Sequence, residues 1–132
     1  EGDDMNEPIA DAARSILDGH VVLSRRLATS GHFPSIEVLD SISRVEPAIT
    51  TPDQRALTGE VRRLLAAYRD TKDLIEIGAY VPGANPLVDR AVRLKDRLDS
   101  FLRQDKMVTP PAEESWCLLA EAVAESSQMV TA

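Results

Sequence analysis

The sequence predicts a mainly α-helical protein, in which a small α/β segment at residues 1–49 precedes an antiparallel helical domain at residues 50–132. Three long stretches after residue 51 carry apolar residues at helical spacing, and each opens with a proline beside a capping residue. In the first segment, by contrast, one short β-branched run stands between two helical patterns. The first segment is therefore expected to hold the only strand.

A helix is expected at the start of the first segment. Asn6 or Asp4 can cap it, and Pro8 suits its first turn because the N–H that proline lacks would be unpaired there. The apolar residues that follow at helical spacing are Ile9, Ala12, Ala13, Ile16 and Leu17. Gly19 then supplies the stop of this helix.

A strand and a loop-rich region are expected next. Val21-Val22-Leu23 is short, apolar and β-branched, which predicts a buried strand. Residues 25–30 predict one or two helical turns that end at Gly31. Residues 33–49 have little periodicity and are interrupted by prolines, so we expect loops with a short extended piece at residues 36–38. Ligand contacts concentrate in such regions.

Three helices are expected in the second segment. The first opens with Thr51-Pro52-Asp53-Gln54, a capping-box pattern, and runs for about 25 residues to Gly78. The second opens at Asn85-Pro86 and the third at Thr109-Pro110-Pro111. The residues expected to face one core are Leu57, Val61, Leu64, Leu65, Tyr68 and Ile75, then Leu87, Ala91, Leu94, Leu98, Phe101 and Leu102, then Trp116, Leu119, Ala120 and Val123. Residues from Ser126 onward carry no pattern and are expected to fray.

Charge and composition exclude several classes of function. The net charge of −7 argues against nucleic acid and against direct binding of anionic lipid, because phosphate groups require a basic face. The apolar runs are too short to span a bilayer. Cys117 is the only cysteine, which excludes an internal disulfide and suits a reducing cytoplasm. His20 and His32 lack cysteine partners at a zinc spacing, and the acidic opening of the chain lacks the spaced ligands of a calcium loop, so no metal site is predicted.

No phosphate-binding loop of the form Gly-x-x-x-x-Gly-Lys-Ser/Thr occurs in this chain. None of the six glycines is followed by lysine. Without that loop the chain has no nest of backbone N–H groups for the phosphates. The chain alone is therefore expected to bind no cofactor and to be inactive as an ATPase.

Residues 31–44, Gly-His-Phe-Pro-Ser-Ile-Glu-Val-Leu-Asp-Ser-Ile-Ser-Arg, resemble the nucleotide-binding domain of rotary-type ring ATPases, as do residues 18–25, Asp-Gly-His-Val-Val-Leu-Ser-Arg. Within that superfamily, residues 1–11 and Ile77-Gly78-Ala79-Tyr80 are most similar to the flagellar and type III secretion export ATPases. The resemblance covers residues 1 to about 125 and implies the last third of such a protein. Its first segment would then be the end of a RecA-like domain.

The resemblance implies roles for three residues near the nucleotide. Arg44 would reach across a subunit boundary to the γ-phosphate, where a planar guanidinium suits phosphate oxygens better than lysine does. Phe33 would form a wall for the adenine, since an aromatic face stacks on any base. Arg25 would support nucleotide binding from within its own subunit. The residue types alone also allow a surface salt bridge for Arg44, a core position for Phe33, and an ion pair of Arg25 with Asp18 or Glu37.

Tyr80, Val81 and Pro82 connect two long helices, at the position where rotary motors contact their central shaft. That loop is often strongly acidic in the motors, whereas here it is apolar, which favours hydrophobic contact with a coiled-coil stalk protein. An ordinary tight connection is the alternative. The resemblance further implies a homohexamer that uses ATP and Mg²⁺ in the full-length parent, and export chaperone–substrate complexes as partners. It also implies a cytoplasmic place beside the inner-membrane export apparatus, with only indirect contact to the export gate.

Two other functions stay open from the residues alone. The chain could be a stand-alone helical adaptor without a nucleotide role, or a catalytic-subunit fragment of an ion-translocating ATP synthase. An adaptor needs neither a capped helix leading to a strand nor the loop from Phe33 to Arg44. The loop at Tyr80 and the turn Asp18-Gly19-His20 weigh against the ATP synthase.

Overall fold

The computed structural model describes residues 7–105 and 107–124. The predicted caps Asn6 and Asp4, and the tail from Ser126, lie outside these residues. Contacts between residues divide the chain into two compact units, residues 1–51 and residues 52–132. Within the described ranges, no helix is long and apolar enough to cross a membrane.

The first unit consists of short elements. They are α1 (Pro8–Ile16), β1 (Gly19–His20), α2 (Arg25–Thr29), β2 (Ile42–Ser43) and α3 (Glu46–Ile49). Pro8 opens α1 as predicted, with Glu7 at the N-cap position. Ser24 caps α2, since its Oγ accepts a 3.4 Å hydrogen bond from the N–H of Leu27. β2 and α3 both fall in the region that the sequence predicts to be loop-rich.

The prediction of a buried strand at residues 21–23 is wrong in both position and burial. The paired strands are β1 and β2, which run antiparallel. Leu23 forms only an isolated bridge with Ile36, and the side chains of Val21 and Leu23 are 64% and 70% exposed. β-branched composition is typical of a strand covered on both faces. The described residues of this unit leave these two side chains uncovered, together with Ile9 and Ile16 of α1.

The second unit is a bundle of three helices, α4 (Pro52–Glu76), α5 (Pro86–Leu102) and α6 (Ala112–Val123). The predicted length of α4 is confirmed, because the helix contains 25 residues. Asn85 caps α5 as predicted, and its side-chain oxygen accepts a 3.0 Å hydrogen bond from the N–H of Leu87. Each helix packs against the other two.

The core of the bundle is aliphatic. Its buried residues are Val61, Leu64 and Leu65 of α4, Val88, Ala91, Leu94 and Leu98 of α5, and Leu119, Ala122 and Val123 of α6. Two predicted core positions are corrected. Leu87 is exposed and Val88 is buried, because both stand one turn before Ala91 and periodicity alone cannot separate them. Ala120 is exposed because it lies about 100° around the helix from Leu119.

Two arginines of α5 bind the end of α6. Arg90 donates a 3.2 Å hydrogen bond to the carbonyl of Val123 and also forms an ion pair with Glu60 of α4. Arg97 donates to the carbonyls of Ala124, at 2.7 Å, and Glu121. Cations placed here complement the partial negative charge at the carboxyl end of a helix. Arg90 thereby links all three helices.

Candidate nucleotide and partner sites

Residues 18–24 and 35–44 form one antiparallel pairing, which we call the ladder. Gly19 pairs with Ser43 and His20 with Ile42. The other backbone hydrogen bonds of the ladder run from Arg44 N to Asp18 O (2.7 Å), from Glu37 N to Val22 O (2.8 Å) and from Ser24 N to Ser35 O (2.8 Å). The ladder therefore fixes the backbone just before Arg25 and at Arg44.

Residues 38–41 bulge out of the ladder, and the side chain of Ser41 closes the gap. Its hydroxyl accepts a 2.9 Å hydrogen bond from the N–H of Val22 and donates one of 2.7 Å to the carbonyl of Glu37. A side chain thus replaces the backbone partner that the bulge removes. The pairing continues on both sides of the bulge.

The two strands approach so closely at Gly19 that no side chain fits there. A Cβ added to Gly19 would lie 2.6 Å from the carbonyl oxygen of Ile42 and 3.2 Å from the Cα of Ser43. Gly19 is not among the glycines with positive φ. Glycine is therefore required here because there is no room for a side chain, and not because of the backbone conformation. Sequence reasoning assigned Gly19 only to a helix stop and missed this approach.

Arg44 follows β2 directly and has an exposed side chain. Its Nη2 donates a long, 3.5 Å hydrogen bond to the carbonyl of Ser15. Among residues 7–105 and 107–124, no carboxylate forms an ion pair with it. The described residues thus do not support the alternative of a surface salt bridge. The guanidinium keeps most of its hydrogen-bonding capacity for another molecule.

Phe33 lies beyond the turn that ends α2. Gly31 takes φ +76°, which favours glycine, and the N–H of His32 donates a 2.9 Å hydrogen bond to the carbonyl of Leu27. His32 is buried and anchors the turn, whereas the side chain of Phe33 is 50% exposed. Phe33 is therefore not a core residue of the described unit, and its ring is accessible for stacking.

Arg25 is the first residue of α2 and has an exposed side chain. The Glu37 carboxylate, one of the two ion-pair partners that the sequence allowed for Arg25, lies 4.0 Å from the guanidinium of Arg26. Arg25 and Phe33 both belong to the end of the ladder that carries α2.

Arg44 belongs to the opposite end of the ladder. An extended chain from residue 18 to residue 24 spans about 20 Å. The structure therefore brings Arg25 and Phe33 to one region and leaves Arg44 in another. Among the described residues, no group of His, Cys, Asp or Glu side chains could hold a metal ion.

The connection between α4 and α5, residues 77–85, is a hydrogen-bonded loop, which we call the tip. The Tyr80 hydroxyl accepts a 3.3 Å hydrogen bond from the N–H of Asn85 and donates one to Asp89. The N–H of Gly83 donates to the same carboxylate, 3.0 Å from Oδ2. Partial burial raises the pKa of the Tyr80 hydroxyl above its ordinary value, and the contact with the Asp89 carboxylate raises it further. Tyr80 is half-buried and not fully exposed.

Apolar side chains remain exposed at the tip. Val81 is 67% exposed, and Pro82 and Ile77 are also exposed. Beside them is an open cavity of about 520 Å³. It is lined by Ile75, Tyr80, Pro82, Gly83, Asp89, Val92 and Arg93. The tip thus presents an apolar edge on a loop that the Tyr80–Asp89 contact holds in place.

Comparison with known families accounts for nearly the whole chain. Residues 1–43 match the nucleotide-binding domain of the ATP synthase alpha/beta family. Residues 50–121, more than half of the 132 residues, match the C-terminal domain of the type III secretion system (T3SS) ATPase EscN. The chain belongs to the T3SS ATPase family. The predicted resemblance and the mainly α fold class are confirmed.

Members of the T3SS ATPase family and its flagellar relatives align along most of the chain. The flagellum-specific ATP synthase of Caulobacter vibrioides is 47% identical over 92% of the chain. The type 3 secretion system ATPase of Pseudomonas syringae pv. tomato is 47% identical over 87% of it. A solved structure of assembled EscN in complex with its central stalk EscO, from enteropathogenic E. coli, covers 89% of the chain at 37% identity with a TM-score of 0.83.

The chain spans only part of each of these T3SS ATPase relatives. It covers 27% of the Caulobacter protein, 26% of the Pseudomonas protein and 29% of the EscN chain. Activity, substrates and partners of a whole protein are therefore matters for proposal.

Proposed function

We propose that this chain is the C-terminal part of a protein-export ATPase, which hydrolyses ATP to drive flagellar or type III protein export. Residues 1–49 are the end of its RecA-like nucleotide-binding domain, and residues 50–132 are its C-terminal helical domain. The observation that carries the proposal is the order of the two family matches, a nucleotide-binding domain followed directly by a T3SS ATPase C-terminal domain. A stand-alone adaptor would need no first match, and an ion-translocating ATP synthase would not need the second.

In this proposal Arg44 is the catalytic residue that the chain supplies. Its guanidinium contacts the γ-phosphate held by the neighbouring subunit of a homohexamer and neutralises the charge that spreads over the transferring group. Support comes from its exposed side chain and from the backbone bond to Asp18, which fixes where the side chain starts. Bound ATP and Mg²⁺ provide the reacting phosphate and its counter-charge, and residues outside this chain hold them.

Phe33 and Arg25 serve the nucleotide site of their own subunit. The accessible ring of Phe33 stacks on the adenine, and Arg25 adds positive charge at the same end of the ladder. Arg44 belongs to the opposite end of the ladder from Phe33 and Arg25. This separation supports the assignment of Arg44 to the nucleotide site of a neighbouring subunit. The uncovered side chains Val21 and Leu23 support packing of the first unit against the rest of a nucleotide-binding domain.

The tip is the surface for a coiled-coil stalk protein, contacted through Tyr80, Val81 and Pro82. Support comes from the exposed apolar edge and from the EscN structure, which contains that ATPase with its central stalk. Export chaperone–substrate complexes are further partners of the assembled protein, and nucleic acid is not. Its place is in the cytoplasm beside the inner-membrane export apparatus, with only indirect contact to the export gate.

Mixing two inactive variants of the full-length protein tests the proposal. One variant is Arg44→Ala, and the other has a disabled phosphate-binding loop and an intact Arg44. If Arg44 acts across the subunit boundary, mixed rings contain interfaces with both parts intact, and ATP hydrolysis returns. If the mixture does not hydrolyse ATP, Arg44 acts within its own subunit. An assembled Arg44→Ala ring with near wild-type turnover would refute the catalytic assignment.

A further inference from the structure

Gly19 lies opposite Ser43, the residue that precedes Arg44. A Cβ at Gly19 would meet the Ile42 carbonyl oxygen at 2.6 Å and the Ser43 Cα at 3.2 Å. Both atoms belong to the backbone of β2 and not to the flexible end of a side chain. Any residue larger than glycine must therefore move β2 away from β1, and Arg44 moves with it.

The neighbouring contacts show why the displacement would reach Arg44. Asp18, directly before Gly19, accepts the 2.7 Å hydrogen bond from the Arg44 N–H. His20, directly after Gly19, pairs with Ile42. Gly19 thus stands between two pairings that hold the backbone on either side of Ser43. Beyond this backbone support, the contact of the Arg44 guanidinium with the described residues is the long hydrogen bond to the carbonyl of Ser15, so the position of the guanidinium depends on the strand.

We propose that Gly19 is a positioning residue for Arg44. By leaving room for β2 against β1, it sets the point from which the guanidinium reaches the phosphate of the neighbouring subunit. This inference rests on the proposed role of Arg44 and adds a residue that touches neither nucleotide nor Arg44 side chain. Because a misplacement of about 1 Å can lower a rate by about 100-fold, the strand position matters for turnover.

The chain offers a matched control glycine. Gly59 lies within α4, and an added Cβ there would meet only the Nη1 atom of Arg63, at 3.7 Å, which is an ordinary contact. Gly59→Ala adds the same methyl group as Gly19→Ala without moving a strand. It is expected to leave turnover within about twofold of wild type.

The test is a double-mutant cycle on the assembled full-length ATPase, with kcat and KM for ATP measured for Gly19→Ala, Arg44→Ala and the double variant. Gly19→Ala is expected to lower kcat by about 10- to 100-fold with KM for ATP within about twofold, since the contact acts in the transition state. In the Arg44→Ala background, Gly19→Ala is expected to change kcat by less than about twofold.

Several outcomes would overturn the inference. An equal loss of kcat from Gly19→Ala in both backgrounds, an increase in KM alone, or an unchanged kcat would each show that Gly19 does not act through Arg44. If Arg44→Ala itself keeps near wild-type kcat, the proposed function fails instead, and the two failures are thereby distinguished.

A second variant covers the case in which Gly19→Ala does not assemble. Ser41→Ala removes the hydroxyl that accepts from Val22 and donates to Glu37, at 2.9 and 2.7 Å, and adds no atoms. Loosening the ladder in this way is expected to lower kcat in the wild-type background and not in the Arg44→Ala background. An equal loss in both backgrounds, or no loss in either, would refute positioning by the ladder.

Discussion

The Tyr80 hydroxyl donates a 2.8 Å hydrogen bond to the Oδ1 atom of Asp89, across the loop between α4 and α5. The same carboxylate accepts from the N–H of Gly83. These bonds order the tip without help from any partner. A partner that binds Val81 and Pro82 therefore meets a loop whose conformational entropy is already reduced, which favours affinity.

Val81→Asp should weaken binding of the coiled-coil stalk protein of the same export system by about tenfold or more, because a charge would enter an apolar contact. The free energy of unfolding should stay near wild type, since Val81 is exposed. Titration calorimetry with the full-length ATPase measures the affinity. Met107→Asp is the control, because Met107 is exposed away from the tip. Equal affinity for Val81→Asp and wild type would remove the tip from the stalk interface.

High pH should destabilise the wild-type chain more than Tyr80→Phe. The pKa of Tyr80 is raised above 10.0 in the fold, by partial burial and then by the contact with Asp89. The folded chain therefore keeps a proton that the unfolded chain loses, so this contribution is fully present below pH 10 and is lost as pH rises through the folded pKa. Urea unfolding from about pH 8 to about pH 11 measures it. Tyr68 is common to both proteins, so parallel curves would mean that Tyr80 contributes nothing.

Gly59→Ala should raise the free energy of unfolding by about 0.5–1 kcal/mol, because glycine inside a helix loses more conformational entropy on folding than alanine does. Nothing near Gly59 opposes the added methyl group. Gly83→Ala is the opposite case, since Gly83 has φ +90° and alanine is strained there. Urea unfolding of the 132-residue chain should move the two midpoints in opposite directions, and two shifts of the same sign would contradict the assignment.

Arg90→Met should lower the free energy of unfolding by about 1–2 kcal/mol, because it leaves Glu60 and the Val123 carbonyl without this donor. The exposed pair of Lys72 with Glu76, at 3.5 Å, gives the control. Lys72→Met should change stability by less than about 0.5 kcal/mol. Thermal unfolding of the two variants compares them, and equal melting temperatures would show that Arg90 does not hold the bundle together.

The 132-residue chain by itself should bind ATP more weakly than about 100 μM. Stacking of adenine on Phe33 contributes only about 1–3 kcal/mol, whereas micromolar binding requires about 8 kcal/mol. Titration calorimetry of the chain with ATP gives the measurement, and Phe33→Ala provides the baseline without the ring. Saturable binding tighter than that limit would mean that the chain contains a phosphate site of its own.

Local rules predicted the three helices of the second unit, although they misplaced Leu87 and Ala120 in the core. The pair Asn85-Pro86 predicted the start of α5, and the Asn85 cap is present, because capping depends only on adjacent residues. The first unit was harder, since the partners of β1 lie more than twenty residues along the chain. The β-branched run Val21-Val22-Leu23 indicated a strand, but composition reports what a strand packs against and not where it pairs.

The candidate site also has a part that the sequence indicated and a part that it did not. The resemblance indicated Arg44, Phe33 and Arg25 by their sequence context, and their roles remain predictions. The function of Gly19 could not be read from the sequence, because its requirement comes from the distance to Ile42 on another strand. A glycine that follows a helix has the sequence pattern of a helix stop, whether or not a neighbouring strand packs closely against it.

The bulge between Glu37 and Ser41 also determines where the chain tolerates a change of length. A residue inserted among positions 38–40 would enlarge a segment that is already outside the pairing, and both ends of the ladder would keep their partners. A residue inserted between Ile42 and Arg44 would shift the register by one, and alternation along a strand would turn the guanidinium to the opposite face. Insertions among homologues should therefore collect at positions 38–40 of the bulge and be absent between Ile42 and Arg44.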